Sequence, residues 1–311
     1  MAIVANTFLT FSAIGNREDL IDRIYNISPT ETPFVAAIGK TNATAVLHEW
    51  QVDALAAAAS NAQLEGDETA FAAVTPTTRA QNRCQISRKE VIVSGTQDAV
   101  NKAGRAKEMT YQLLKRGKEL RRDMEFVLMS NQAPVTGNST TARQLRPVCG
   151  WYATNDNRGA GGADGTTSAA ATDGTQRPLT EAMVKNVLQL CWDAGGSPDT
   201  VMVGSFNKTV CSGFTGNVTK LQDVSNAKLA ANIDVYKSDF STVKFVANRF
   251  QRARDAHVLD TEMWKLATLR APRTEDLAKT GDAEKAQILT EYTLEACNEA
   301  ASGVIADLTT A

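Results

Sequence analysis

The amino-acid sequence predicts an α+β fold in which three kinds of pattern follow one another. Two runs with alternating apolar side chains, AVLHEWQV and RCQISRKEVIVSG, predict strands that flank a long stretch of small and polar residues. From residue 97 to 131, apolar residues recur at three- and four-residue steps, which predicts one long helix. From Pro178 onward, short helical and strand patterns alternate, which predicts a compact α/β part.

Composition limits the classes of protein that this chain can represent. Its 311 residues suffice for one large or two ordinary domains, and 43% hydrophobic with 22% charged residues is typical of a globular protein. A formal net charge of −2 argues against a general nucleic-acid binder. The first residues lack the basic segment of a signal peptide, and no apolar run is long enough to cross a bilayer, so no membrane partner is expected.

The cysteines and histidines do not form a recognisable ligand pattern. Five cysteines occur without CxxC spacing, which indicates reduced, buried thiols in a cytoplasmic setting. The two histidines, His48 and His257, have no neighbour at ligand spacing. The sequence therefore predicts no metal site and no cofactor.

The N-terminal part is predicted to be an arm that leads into a short helix. Residues 1–26 have few apolar side chains, and Ser28, Pro29 and Glu31 match a capping box. A second proline, Pro33, limits the helix to one turn. The apolar residues of this turn are expected to form a buried plug: Phe34, Val35 and Ile38.

The segment DALAAAASNAQLEGDETA lies between the first two predicted strands. A hairpin needs about two to five turn residues, yet roughly thirty intervene here. Leu55, Leu64 and Phe71 are its main large apolar residues, too few to fold it onto its own domain. Residues 42–95 are therefore predicted to form a protruding ribbon.

The predicted long helix would measure about 50 Å, more than a compact domain of this size requires. Its apolar stripe is made of Met109, Leu113, Leu120, Met124 and either Val127 or Leu128. The other faces carry basic and acidic residues in helical spacing. They are interpreted as a solvated face with i,i+4 pairs, or alternatively as a surface that faces nucleic acid or a neighbour's acidic patch.

The next segment combines an apolar island with a glycine-rich stretch. Residues 148–152 form the island, and NRGAGGADGTTSAAATDGTQ is predicted to be a mobile loop. Its GAGGADG run is not a nucleotide-binding motif, because Asp164 stands at the third glycine position and no strand precedes it.

The α/β part begins with the helix LTEAMVKNVLQLCWDAGG, which Thr180 caps and the pair Gly195 and Gly196 ends. A buried strand, TVMVGS, follows, and IDVYKSDFSTVKFVANRF predicts two strands joined at residues 237–241. The remaining predicted strands are AHVLD, a long alternating strand near residues 286–297, and GVIADL.

Little in the sequence indicates catalysis. Cys149 is a candidate nucleophile only if His48 or His257 serves as its base. Asp239, Asp255 and Asp260 fall at strand ends, where a metal or acid–base site is possible and a turn-capping role is the usual alternative.

These segments, taken in order, resemble the tailed-phage major capsid protein family. The resemblance extends over nearly the whole chain and rests on these blocks: ISPTETPFVAAIGK, HEWQVDAL, RAQNRCQI, VSGTQDAV, KELRRDMEFVLMSN, LCWDAGGSPDTVMVGSFNK, DVYKSDFSTVKFVANRF and AKTGDAEKAQILTEYTLEACNE. The same fold occurs in encapsulin cages and in the floor of herpesvirus capsids. The resemblance therefore implies a capsid fold.

The resemblance also implies how the chain is divided. The expected parts are an N-terminal arm (1–40), an extended β-ribbon loop (41–96), the spine helix of a peripheral domain (97–133), an irregular glycine- and alanine-rich connection (134–178), an axial domain (179–271) and return strands of the peripheral domain (272–311).

Under this resemblance the protein is a structural, non-enzymatic subunit of an icosahedral phage head. It would self-assemble into hexamers and pentamers around double-stranded DNA, with portal, scaffold and decoration proteins as further partners. Assembly is expected in the host cytoplasm and the final location in the virion capsid. Expected contacts between subunits are Trp50, Leu55, Leu64, Phe71 and Arg83. The alternatives are an encapsulin-like cargo cage and a Cys149-dependent cytoplasmic hydrolase.

Overall fold

The computed structural model describes residues 28–311, except 67, 69, 70, 72, 103, 105 and 215–234. The predicted N-terminal arm over residues 1–26 lies outside the described residues. No helix in the described part of the chain combines the length and the hydropathy that a bilayer crossing requires.

A four-stranded sheet contains the longest strands of the molecule. Its strands are β1 (Gly39–Asn42), β10 (Trp264–Leu277), β11 (Ala283–Ala296) and β4 (Gln85–Ser94), in that spatial order. β1 runs parallel to β10, and the other neighbours are antiparallel. β10 and β11 form a hairpin of two 14-residue strands, each about 45 Å long at ~3.3 Å per residue.

The sequence analysis missed strand β10. Its outer half carries Arg270, Pro272 and Arg273, residues that do not resemble a strand pattern, and its register against β11 shifts between Arg270 and Arg273. The predicted boundary between residues 271 and 272 therefore falls inside one continuous strand.

A six-stranded sheet forms the second layer of strands. Its spatial order is β5 (Asp156–Asn157), β12 (Gly303–Ile305), β9 (Ala256–Leu259), β6 (Thr200–Val203), β8 (Thr242–Ala247) and β7 (Val235–Lys237). The predicted strands at TVMVGS, AHVLD and GVIADL and the β7–β8 pair are thus confirmed. The last strand, β12, lies in this sheet and not with β10 and β11.

The predicted ribbon is a two-stranded antiparallel hairpin of β2 (Leu47–Val52) and β3 (Thr78–Arg83). The prediction that the ribbon extends to residue 95 is wrong, because β4 pairs with β11 in the main sheet. The periodicity of β4 resembles that of β3, so alternation alone did not reveal where the chain leaves the ribbon.

The single long helix predicted over residues 97–131 is also wrong. A short helix, α2 (Gly95–Ala99), is followed by Gly104 at φ +76°, and α3 (Glu108–Leu128) begins only after it. Because a left-handed glycine cannot continue a right-handed helix, the two helices are separate. The 21 residues of α3 measure about 30 Å. The predicted apolar stripe is confirmed in Leu120, Met124 and Leu128, which are buried.

Glu125 on α3 is fully buried, although the sequence placed it on a solvated face. Its carboxylate accepts hydrogen bonds at 2.8 Å from the main-chain N–H groups of both Phe34 and Val35, in α1 (Pro33–Ala37), and at 2.6 Å from the Asn248 amide. Burial raises the pKa of this carboxyl, and the three hydrogen bonds oppose that rise. One side chain thus links α3, the N-terminal plug and the end of β8.

The capping box predicted at Ser28 is not the start of α1. The N-cap is Thr32, and Pro33 occupies the first helical position. The Thr32 side chain makes no capping hydrogen bond. Glu125 instead satisfies the free N–H groups of the first turn. The buried plug of Phe34, Val35 and Ile38 is confirmed.

The helix predicted after Pro178 is α5 (Glu181–Asp193), and Thr180 is its N-cap as expected. The Thr180 side chain accepts a hydrogen bond from the Met183 N–H at 3.4 Å, and Gly195 follows the helix at φ +88°. We expect Thr180→Ala to lower the free energy of unfolding by about 1 kcal/mol. Urea unfolding measures this, and Thr180→Ser, which keeps the hydroxyl, should match the parent protein.

The glycine-rich segment predicted to be a mobile loop is organised around one buried carboxylate. Asp307, at φ 61°, accepts hydrogen bonds from the N–H groups of Gly159 (3.0 Å) and Gly174 (2.7 Å) and from Arg254 (3.1 Å). A Cβ on Gly174 would come within 2.8 Å of the Asp307 carboxylate, so glycine is required there for close approach and not for mobility.

Two clusters of buried apolar residues hold these elements together. The first joins α1, α3 and the island helix α4 (Val148–Trp151) to residues of both sheets, including Trp264 and Met202. The second packs α5 and α6 (Ser205–Ser212) on the six-stranded sheet. Because the first cluster includes residues of both sheets, the two sheets share a core.

Candidate functional site

The base of the ribbon is fixed to the body of the chain by Trp50. Its indole N–H donates to the main-chain oxygen of Ala296 at 2.9 Å, and its ring lies 5.5 Å from that of Trp151. His48, two residues earlier on the same face of β2, contacts Glu295 at 3.0 Å. The ribbon therefore leaves the body from a defined position.

Asn82 on β3 fixes the other strand of the ribbon. Its amide donates to the carbonyl oxygens of Arg146 (3.0 Å) and Leu294 (2.7 Å), and its Oδ1 accepts from the N–H groups of Arg146 (2.8 Å) and Arg83 (2.9 Å). All the donors and most of the acceptor capacity of this buried side chain are used. Sequence reasoning missed Asn82, because an asparagine inside a strand pattern is usually exposed.

Beyond Val52 and Thr78, the last pair of the ribbon, the described residues of the arm (residues 53–77) contain neither helix nor strand. Four large apolar side chains project from it almost fully exposed: Leu55 (99%), Leu64 (81%), Phe71 (95%) and Val74 (93%). A single exposed leucine is common, but four large apolar side chains with at least 81% exposure on one short segment are not.

The five residues predicted to contact another subunit fall into two groups. Leu55, Leu64 and Phe71 lie on the exposed arm, where the sequence analysis missed Val74. Trp50 and Arg83 lie at the base of the ribbon, and both are half-buried. Trp50 is engaged with its own chain, whereas the Arg83 guanidinium makes no ion pair with any residue that the structure describes. Contact of these five with a second copy stays a prediction.

The candidate nucleophile Cys149 is brought beside His257 and Asp255, but not in a catalytic arrangement. The thiol lies 3.9 Å from His257 Nε2 and 3.5 Å from Asp255 Oδ2, and all three residues are buried. Burial, reinforced by the Asp255 charge, raises the pKa of the Cys149 thiol well above its usual range. Burial also lowers the pKa of His257 to about 3, so the imidazole is neutral. A protonated, inaccessible thiol cannot act as a nucleophile.

This juxtaposition was not predicted from the sequence. His257 has no ligand-spaced cysteine or histidine along the chain, yet in space it faces both Cys149 and Asp255. One signal was present in the sequence: Asp255 and His257 are two residues apart at a strand, so their side chains point to the same side. Cys149 is more than a hundred residues away, and no local pattern connects it to them.

The other two acidic candidates have structural positions. Asp260 follows β9, where its carboxylate accepts from the Ser197 N–H at 3.2 Å and its own N–H donates to Ser302 Oγ at 3.0 Å. Asp239 lies in the turn between β7 and β8 and is exposed. Neither is placed near Cys149, so the turn-capping alternative accounts for Asp260.

The chain matches a family model and a curated relative that are both major capsid proteins. The family model described as SU10 major capsid protein matches residues 3–309 of this chain. A curated relative, the major capsid protein of Escherichia phage Phieco32, is 27% identical over an alignment of 341 residues that covers 96% of this chain and 96% of the relative.

Solved structures share the fold over nearly the whole chain. The cyanophage A-1(L) capsid asymmetric unit superposes with a TM-score of 0.65 at 14% identity and covers 97% of this chain and 99% of that chain. A Phage G structure with gp27 major capsid proteins and gp26 decoration proteins superposes with a TM-score of 0.52 at 9% identity, over 99% and 100% of the two chains. These neighbours are phage capsids, neither encapsulin cages nor hydrolases, and the predicted capsid fold is confirmed.

Proposed function

The chain belongs to the SU10 major capsid protein family, and from that premise we propose that the arm of each copy is held by an adjacent copy in the shell. The protein is a structural subunit of a tailed-phage capsid and not an enzyme. Its shell is assembled from many copies, and its place is in the capsid of the virion.

The observation that carries the proposal is the exposure of Leu55, Leu64, Phe71 and Val74 on an arm whose base is fixed. Burying one such side chain is worth about 1.5–3 kcal/mol, so the four together represent about 6–12 kcal/mol of gross stabilisation when a neighbour covers them. The ordering of the arm offsets part of this gain. The alanine run between Leu55 and Leu64 permits close approach to the neighbour's backbone.

The contact is head-to-tail, because an arm on one copy meets the body of the next and not another arm. Such a contact repeated around an axis closes a ring, and we propose hexamers and pentamers as these rings. Each contact need not be strong, because a closed shell engages many contacts at once. An interface of about 2,000–5,000 Å² per subunit, the class of permanent assemblies, would make dissociation negligible.

The division of the chain is proposed on the same basis. The extended loop is proposed within residues 41–96, with the ribbon at its centre and β4 returning the chain to the main sheet. The spine helix is proposed over 97–133, within which α3 is the continuous helix. The six-stranded sheet with α5 supports an axial domain over 179–271, and the β10–β11 hairpin supports a peripheral domain over 272–311, except that β12 joins the six-stranded sheet and β10 begins at Trp264. Residues 1–40 and 134–178 are proposed as the N-terminal arm and the connection.

The other partners are proposed from the role of the shell. Packaged double-stranded DNA is its content, held without sequence specificity, and a net charge of −2 favours confinement over tight electrostatic binding. Portal and scaffold proteins are partners of assembly in the host cytoplasm. A decoration protein is a further candidate, because decoration proteins accompany the major capsid proteins in the Phage G structure.

Electron microscopy of the purified full chain at high concentration tests the proposal. We expect closed shells with rings of six and five subunits, in which the density of residues 53–77 lies on an adjacent copy. Shells in which that arm folds back on its own subunit, or a chain that stays monomeric at every concentration, would contradict it. In particles from infected cells, double-stranded DNA is the expected content.

A further inference from the structure

Cys149, Asp255 and His257 place three metal-binding atoms together inside the subunit. The Cys149 sulfur lies 3.5 Å from Asp255 Oδ2 and 3.9 Å from His257 Nε2, and all three ligand atoms lie within 4.8 Å of one another. The residues are 3%, 3% and 0% exposed. Among the described residues this is the only such group of histidine, cysteine and acidic side chains.

The two separations that involve the Cys149 sulfur are close to those of ligands that share one tetrahedral ion, and the third is below 4.8 Å. Zinc binds sulfur at about 2.3 Å and nitrogen or carboxylate oxygen at about 2.0–2.2 Å, which places tetrahedral ligand atoms about 3.5 Å apart. The sulfur–oxygen distance already has this value, and the sulfur–nitrogen distance needs only a few tenths of an ångström. A thiolate, an imidazole and a carboxylate are also the donor types that zinc uses.

The surroundings of His257 favour its use as a ligand. Its Nδ1 contacts the Tyr152 hydroxyl at 3.2 Å, and the two rings are stacked with centroids 5.7 Å apart. When Nδ1–H donates to that oxygen, the Nε2 lone pair is free for a metal, which is the outer-shell arrangement that orients ligating histidines.

Two guanidinium groups lie near the three ligands, and each has carboxylate partners other than Asp255. Arg252 contacts Asp255 at 3.2 Å, but it also pairs with Asp173 through both carboxylate oxygens at 2.6 and 2.8 Å. Arg252 therefore keeps Asp173 as its ion-pair partner if Asp255 binds a metal ion. Arg158, the other guanidinium whose charge acts on Cys149, is paired with Asp156 and Asp164 at 3.0 and 2.6 Å.

We propose that Cys149, Asp255 and His257 bind one divalent transition-metal ion of the zinc class in each subunit. Binding displaces the Cys149 thiol proton to solvent as the sulfur–metal bond forms, and no electron is transferred. Because Cys149 lies on α4 and His257 on β9, the ion would tie the apolar island to the six-stranded sheet. Because the three ligands are buried and come from separate parts of the chain, binding of the ion would stabilise the folded subunit.

Cobalt(II) serves as the probe, because a cobalt–thiolate bond has a distinct charge-transfer absorption. The full chain is produced in cobalt-supplemented minimal medium, so that the buried site is loaded during folding, and its metal content is measured after gel filtration. We expect about one cobalt per chain with the thiolate band in the parent protein. We expect loss of both in Cys149→Ser and retention of both in Cys211→Ser, a buried cysteine without a histidine or carboxylate partner among the described residues.

A positioning variant provides an independent measurement. Tyr152→Phe keeps the stacked ring but removes the oxygen at Nδ1, and we expect cobalt affinity to fall about 10- to 100-fold. A parent protein without cobalt and without the band would overturn the proposal and leave the group as a hydrogen-bonded part of the core. A band of equal strength in Cys149→Ser would also overturn it. The cobalt content and the thiolate band of the parent protein test the proposal even if a variant fails to fold.

Discussion

Deletion of residues 55–75 is expected to leave a folded, soluble protein that forms no particles. The deletion joins Val52 to Thr78, the last pair of the ribbon, through Asp53, Ala54, Pro76 and Thr77. Four residues are a normal length for a hairpin turn, so the ribbon closes without strain. The free energy of unfolding should change by less than about 1 kcal/mol, because the large side chains that are removed are 81–99% exposed.

The loss of assembly should be complete, because every contact in a ring uses one arm. A finer variant replaces only Leu55, Leu64, Phe71 and Val74 with serine and keeps the length of the arm. The matched control replaces Asn61, Gln63 and Glu65 with serine on the same arm. Sedimentation and electron microscopy should show particles for the control only. Normal particles from the deletion variant would contradict the assigned role of the arm.

Replacement of Glu125 with leucine is expected to be the most destabilising single change considered for this subunit. Leucine leaves the N–H groups of Phe34 and Val35 and the amide of Asn248 buried without their acceptor. Each orphaned donor costs about 1–3 kcal/mol, and removal of a buried charge returns part of this, so we expect a net loss of about 3–5 kcal/mol.

Urea unfolding of the full chain measures this loss. Asp123→Asn is the matched control, since Asp123 lies on the same helix and pairs with Lys89 at 2.6 Å at the surface. A solvent-exposed pair of this kind is worth about 0–1 kcal/mol. Equal effects of the two substitutions would show that Glu125 does not hold α1 and the end of β8 against α3.

The sequence predicted the parts of the fold that depend on neighbouring residues. Alternation located β2 and β8, short apolar runs located β6 and β9, and Thr180 marked the start of α5, because these signals arise from residues a few positions apart. The exposed arm was predicted for the same reason, since a segment with so few large apolar residues cannot pack on itself wherever the rest of the chain lies. The long helix was overextended because the apolar spacing does not show that the backbone becomes extended at Val100 and left-handed at Gly104, which separates α2 from α3.

Local sequence patterns could not predict the hydrogen-bond partners of the buried polar groups. Glu125 resembles the other acidic residues of its helix, and only its donors, 91 and 123 residues away at Phe34 and Asn248, distinguish it. The glycine-rich segment was predicted to be mobile, but hydrogen bonds from its N–H groups to Asp307, more than a hundred residues further along, hold it in place. The composition of a segment does not reveal whether it is ordered, because that depends on hydrogen-bond partners from other parts of the chain.

By itself, then, the sequence determined that this chain has an α+β fold and a ribbon with an exposed arm, and its resemblance to the capsid family implied the role of a shell subunit. Only the tertiary structure decided which sheet each strand joins, where the spine helix begins, and that Cys149, Asp255 and His257 meet. The physical reason is the separation along the chain over which each kind of interaction acts. Periodicity and capping act within about two helical turns along the chain, whereas buried carboxylates, thiols and imidazoles are satisfied by partners that folding brings from a hundred residues away.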